Sequence, residues 1–331
     1  MTVARVIACL CFVVWVLAPA PARAAEVVTV GTLAPKQSTW GRTFAVWEEA
    51  VKKKSNGKLE LRVFYNGQQG DDGTMVGKVR SGQLDACAVS AVGLGKAHKP
   101  ILALQLPGLF RNWEALDRAR DALKDELEKG AEKEGFRIGW GDLGKLRGMT
   151  KGAVIKRPSD LSGKKVLSWR NDVIGPTVYQ LIPNVTIVPL SAMEVLPTLR
   201  AGGVDVLSAP SLAAEALQWT PHLTHISAES TVMAIGGMVW SKKRFDALPG
   251  DLRTVLDDTG KVMQGSLRKK IRAEDDAAFE RLKEKMTVVS LSEDDKSAWK
   301  PVFIKAIDRL KQGTFDPKLV DKLVELSKAS Q

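Results

Sequence analysis

His98, His222 and His225 are the histidines of this sequence, and only His222-x-x-His225 has a spacing that brings two imidazoles together. Zinc needs three or four such ligands, and no cysteine or Glu-x-x-His completes a set, so the pair reads as two loop histidines. No G-x-S-x-G elbow offers an exposed serine nucleophile. Gly93-Leu94-Gly95-Lys96 lacks the spacing of a phosphate-cradling loop. Cys87 lies in an apolar run with no neighbouring base or cation to make a thiolate. No catalytic constellation, metal site or cofactor is expected.

Tryptophan is the more informative residue type. Trp47 falls on the apolar face of a helical pattern and reads as core. Trp40 and Trp169 stand just past the C-terminal ends of expected strands, where open α/β sheets place their ligand crevice. Flat apolar side chains at that place suit binding rather than bond-breaking.

The elements that must hold them follow from periodicity. Val27–Thr32 is a β-branched run closed by Gly31, and Thr39–Lys54 carries Phe44, Trp47 and Val51 at helical spacing up to Ser55-Asn56-Gly57. Leu59–Tyr65 alternates as a strand, Thr74–Arg80 is a short helix before Gly82, and Leu84–Val89 is a buried strand. The second half repeats this order, with strands at Lys165–Ser168, Thr186–Pro189 and Val204–Leu207 and helices at Val173–Leu181 and Ala192–Arg200. One short motif recurs: Val79-Arg80-Ser81-Gly82-Gln83-Leu84-Asp85 parallels Leu199-Arg200-Ala201-Gly202-Gly203-Val204-Asp205, 120 residues later. Each copy ends a helix on a glycine suited to the left-handed cap and leads through Asp into an apolar strand.

This alternation predicts two α/β domains with mainly parallel sheets. Phe136–Gly141 reads as a strand crossing between them, and Leu252–Lys285 is a long helical pattern of about 50 Å, enough to brace both. The expected division is residues 25–143 with about 229–277 in one domain, and 144–228 with about 278–331 in the other. A cleft between two such lobes is a natural small-molecule site that can close by hinge motion.

Compartment and charge agree. Arg5, an apolar stretch over Val6–Ala18 and Ala22-x-Ala24 form a signal-peptide pattern over residues 1–24, with cleavage expected before Ala25. Cys9 and Cys11 leave with it, and Cys87 alone allows no internal disulfide. The formal charge of +11 falls to +9 without Arg5 and Arg23, and its lysines and arginines are interspersed with acids. That is a solvated basic surface, not a nucleic-acid stripe.

Several ordered stretches resemble the solute-binding proteins of tripartite ATP-independent periplasmic (TRAP) transporters. They are Gly31-Thr32-Leu33-Ala34-Pro35-Lys36-Gln37-Ser38-Thr39-Trp40, Phe64-Tyr65-Asn66-Gly67-Gln68-Gln69-Gly70-Asp71, the Val79–Asp85 motif, Leu106-Pro107-Gly108-Leu109-Phe110, Arg157–Val166 and Glu194–Asp205. The resemblance covers nearly all of the sequence after residue 24. It implies the two-lobed periplasmic-binding-protein fold of the type II kind, closure on a ligand and delivery to membrane permease subunits, usually of an organic acid. A periplasmic sensor module without transport is the alternative.

The family's carboxylate-binding Arg follows the Gly-Lys-Lys-Val strand, and here that position is Leu167; the family's Asn falls at Ala209. The pattern is closer to a divergent branch associated with helical-repeat partner proteins and suspected of binding hydrophobic ligands. Arg147, in a segment where the family carries a second cleft Arg, and Arg170, three residues past Leu167, are the cations that could restore acid binding. The candidate ligand-binding set is Trp40, Tyr65, Asn66, Ser90, Phe110, Arg147, Leu167, Trp169, Arg170, Ala209 and Trp219. The expected ligand is more apolar than a C4-dicarboxylate.

Overall fold

The computed structural model describes residues 25–328; the signal-peptide reading lies outside them. The β-branched run at the start becomes β1 (Glu26–Thr32), followed by α1 (Thr39–Lys54), β2 (Leu59–Phe64), α2 (Asp72–Ser81), β3 (Ala86–Ser90) and α3 (Ala91–Ala97). A 3-10 stretch over Lys99–Gln105 leads to α4 (Trp113–Lys133) and β4 (Phe136–Thr150). The second series is β5 (Lys165–Trp169), α5 (Ile174–Tyr179), β6 (Thr186–Leu190), α6 (Ala192–Arg200), β7 (Val206–Ala209) and α7 (Ser211–Ala216). Then come β8 (His225–Ser227), β9 (Val232–Ser241), α8 (Lys242–Asp246), α9 (Gly250–Lys283), β10 (Thr287–Val289), α10 (Glu293–Gly313) and α11 (Pro317–Lys328).

Polar side chains fix where the helices begin. Ser38 accepts the Gly41 amide, and Asp71 accepts the Thr74 amide, each satisfying a donor that has no partner inside the helix. Gly82 (φ 79°) and Gly202 (φ 68°) both take the left-handed conformation that ends a helix. Beyond them Asp85 accepts the Thr29 amide at 2.7 Å and Asp205 accepts the Lys165 amide at 2.8 Å. The recurrent motif therefore does the same work twice: it stops a helix and ties the next strand to the first strand of its own unit.

The strand order carries the duplication further. One half of the sheet runs β2-β1-β3-β9 and the other β6-β5-β7-β4. In each, the first three strands are parallel and the last is antiparallel. β4 and β9 pair antiparallel with each other and join the halves, so the crossing segment is longer than the six residues expected. β4 pairs with β9 up to Leu146 and with β7 from Arg147 to Thr150, passing a bulge between Asp142 and Gly144. The Asp275 carboxylate braces that bulge by accepting the Lys145 amide at 2.8 Å.

The long helix forms as expected. α9 places Leu256, Met263 and Ile271 in the first lobe's core and Leu282 in the second's. Near the C-terminus, Leu310, Phe315, Leu319, Val320 and Leu323 pack with Leu116 and Leu123 of α4 in the first lobe's core. α10 begins on the second lobe, where Asp295 accepts Arg157 Nε at 2.6 Å, and carries the chain back. The apolar stripe of α11 fits the face that α4 leaves open.

The β4–β9 crossing leaves no room for a side chain at Gly237. A Cβ at Gly237 would lie 2.2 Å from the Gly139 carbonyl oxygen, a backbone atom that cannot turn aside. Gly237→Ala is therefore expected to destabilise by at least about 1–3 kcal/mol, read as a lower midpoint in urea unfolding. A midpoint equal to wild type would show that the crossing can yield at Gly139 to admit a methyl group.

Candidate functional site

A cavity of about 920 Å³ separates the two lobes, a size suited to a small organic molecule. Its walls come from the C-terminal ends of β1, β3, β5 and β7, from β4 and β9 behind them, and from α9 and α10. Strand ends meet there because both parallel units point the same edge inward.

Apolar and aromatic side chains dominate the wall. Trp40 opens α1, Trp169 closes β5, and Trp219 packs against Trp169 with ring centroids 5.9 Å apart and planes 31° apart. Phe110 closes one side and Trp299 and Phe303 of α10, stacked at 5.7 Å, close another. Leu167 and Ala209, at the positions where the resemblance implies Arg and Asn, both border the cavity and are buried. Ser90 lines it too, capping α3 through the Val92 amide and donating to Asp72.

Three of the sequence candidates are not among the lining residues. Arg147 turns the other way: its guanidinium lies 3.6 Å from the Phe279 ring centroid and donates to the Ser227 and Ala228 carbonyls. Leu146 and Gly148 on either side of it line the cavity, while Arg147 itself stands opposite Ala209 in the β4–β7 ladder. Burial holds its guanidinium below its ordinary pKa, opposed by Asp275, Asp276 and Glu229. Tyr65 is buried against α1, its hydroxyl donating to Glu48 Oε2 at 2.8 Å. Asn66 is an exposed turn residue at φ 56°.

Arg170 does line the cavity, but at its exposed mouth. It pairs with Glu194 at 2.7 Å and lies 3.9 Å from Asp71 of the opposite lobe. The same rim is tight elsewhere. A Cβ at Gly73 would lie 2.9 Å from Asn171 Nδ2, and one at Gly67 the same distance from Met193 Sδ. The lobes are thus in contact around the cleft.

Sequence reading missed the inner polar groups. Asp72 hydrogen-bonds to Ser90, and burial pushes its carboxyl up to about 6, against the lowering effect of the Ser90 bonds. Burial likewise raises Asp172, whose oxygens accept the Ile174 and Gly175 amides at 2.9 Å each. Tyr179 stands beside it, its phenol pushed up to about 12 by burial and by Asp172. Ser168 Oγ and Trp40 Nε1 are buried on wall residues without a hydrogen-bond partner. No local pattern singles out Asp72, and only the approach of β3 brings Ser90 against it. Cys87 is buried beneath, its thiol raised by burial and by Asp72. Among the described residues no His, Cys, Asp and Glu grouping has the geometry to hold a metal ion.

Comparison with known proteins bears on this cleft. Residues 30–312 match the bacterial extracellular solute-binding protein family 7, DctP. The chain belongs to this family. It is a bacterial extracellular solute-binding protein and not an enzyme. A solute-binding protein of Chromohalobacter salexigens is 25% identical over 167 residues, 50% of this chain and 49% of that one, so the match spans about half that relative. A TRAP periplasmic solute-binding protein of Sulfitobacter sp. NAS-14.1, solved with β-D-galacturonate, superposes with TM-score 0.83 at 20% identity, covering 92% of this chain and 100% of that one. A sugar-acid-binding protein of Advenella mimigardefordensis, in complex with galactonate, gives TM-score 0.86 at 21% identity, covering 93% and 99%. The two-lobed fold is shared with both.

Proposed function

We propose that this TRAP solute-binding protein captures an apolar small organic molecule rather than the acids bound by its relatives. The supporting observation is the pair Leu167 and Ala209 in the cavity wall, where the resemblance implies Arg and Asn; Arg147, the strand partner of Ala209, is turned onto Phe279. A carboxylate leaving water for a closed cleft needs a fixed cationic partner. Arg147 is engaged with Phe279 and Arg170 with Glu194, so neither is free to stand in. Trp40, Trp169 and Trp219 instead offer flat apolar surface. Closure gains free energy through contacts made to both lobes at once, and these rings belong to both sides of the cleft.

In this reading residues 1–24 direct export and are cleaved before Ala25, and the loaded protein delivers its ligand to a TRAP permease. A helical-repeat protein is a further partner to test. The lobes divide at the β4 bulge near residue 143, with the C-terminal helices returning to the first lobe. Native mass spectrometry of protein drawn from the source periplasm tests the ligand class directly. The expected result is a retained hydrophobic molecule released on denaturation; a retained C4-dicarboxylate or sugar acid refutes the proposal.

A further inference from the structure

We propose that the apolar ligand presents a protonated amine to Asp72, an inference that rests on the cleft-binding reading above. The argument begins with the charges that line the cavity. Arg111, Arg170 and Lys300 are exposed and therefore stand at its mouth, and Lys296 there pairs with Glu293 at 2.8 Å. No lining cation is buried. The inward groups are carboxylates. Asp142 is neutralised by Arg120 at 2.8 Å and Arg272 at 2.7 Å. Asp71 caps α2 and faces Arg170.

Glu229 accepts the Leu291 amide and lies 3.9 Å from Lys296. That leaves Asp72 and Asp172, neither of which has an ion pair among the described residues. Asp172 spends one oxygen on each of two amides at the start of α5. Asp72 is different. It touches only Ser90, through the hydroxyl and through an amide at 3.4 Å. A carboxylate has about four acceptor sites, so most of its capacity is unused. Asp72 lies deep in the protein yet keeps some accessible surface and lines the cavity, so that surface opens onto the cavity.

A second group, on the opposite wall, also lacks a partner. Ser168 belongs to β5, is 3% exposed, and its Oγ has no hydrogen bond although the residue lines the cavity. It lies 3.5 Å from where a Cβ of Gly175 would stand, beside Asp172. Buried polar atoms without partners are uncommon and point to a group absent from the protein itself. One lobe thus offers an unpaired carboxylate and the other an unpaired hydroxyl, both hydrogen-bond acceptors, within an apolar wall. A ligand carboxylate placed there meets like charge and no cation. An amine on an apolar body meets an acceptor of opposite charge, and its apolar part meets the tryptophans. Burial, together with the neighbouring Asp71 charge, raises the Asp72 carboxyl to about 6, and no counter-charge offsets it.

Calorimetry with decylamine, decanol and decanoate, which share one apolar body, separates the possibilities. Ligand-free protein is expected to bind the amine at least about tenfold more tightly than the alcohol. Asp72→Asn, which keeps an acceptor for Ser90, is expected to remove that advantage. The assignment is overturned if decanol or decanoate binds wild type as tightly as decylamine, if none of the three binds, or if Asp72→Asn leaves the amine's advantage intact. The comparison on wild type stands even if the variant does not fold. Tight galacturonate or succinate binding refutes the apolar-ligand reading itself, a result distinct from decanol or decanoate matching the amine.

Discussion

Succinate, malate and galacturonate are expected to give no submicromolar binding when titrated into the purified protein. Removing the charged partner of a buried carboxylate typically costs about 2–5 kcal/mol, or roughly 30-fold to several thousand-fold in affinity. Leu167 supplies no charge, and Ala209 no hydrogen bond. The unpaired Asp72 and Asp172 carboxylates oppose any second anion in the same space. The reverse substitution sharpens the expectation. Leu167 ends buried in the second lobe's core while touching the cavity, so Leu167→Arg loses packing but gains a cation at the wall. Weak dicarboxylate binding is expected to appear in that variant and not in wild type. Submicromolar succinate binding by wild type that disappears in Arg170→Ala would instead make Arg170 the anchor. It would have to leave Glu194 to act so.

The largest effect on stability is expected from Asp142→Ala. Asp142 is inaccessible and joins Arg120 at 2.8 Å to Arg272 at 2.7 Å. Asp117 closes the set, pairing with Arg120 and with Arg272, whose guanidinium also lies 4.4 Å from the Trp113 ring centroid. The two arginines hold the Asp117 carboxyl below its usual range, overcoming the opposing effect of burial, while Asp117 and Asp142 raise Arg272. Deleting Asp142 leaves Arg120, 1% exposed, with half its compensation. Breaking one member of a buried charge network costs about 3–5 kcal/mol because the remaining charge stays out of water. The same network ties α4 to β4 and α9, so the loss falls on the elements that connect the lobes. Urea unfolding measures it. Lys242→Ala, which breaks an exposed pair with Asp246, is the control and is expected to cost no more than about 0.5 kcal/mol. An Asp142→Ala protein within about 1 kcal/mol of wild type would mean that Asp117 alone compensates Arg120.

Much of the scaffold was written locally. β-branched runs marked the parallel strands, and Gly82 and Gly202 marked helix ends, because such caps rest on contacts spanning a few residues. The repeat at Asp85 and Asp205 announced two similar units because each unit needs the same tie between its own strands. The absence of Arg at Leu167 was equally plain, since a motif fixes its position. Other facts depend on partners far away in the chain. Whether Arg147 faces the cleft depends on the β4 pleat and on Phe279, 132 residues later. The return of α11 to the first lobe depends on an apolar face of α4 that no local pattern at residues 317–328 reveals. No local pattern singles out Asp72. It becomes a cavity carboxylate without an ion pair among the described residues only because β3 brings Ser90 against it and the second lobe faces it across the cleft. Sequence carries periodicity and caps, which short-range contacts decide; the character of the cleft comes from long-range packing, which decides which side chains keep water and which lose it.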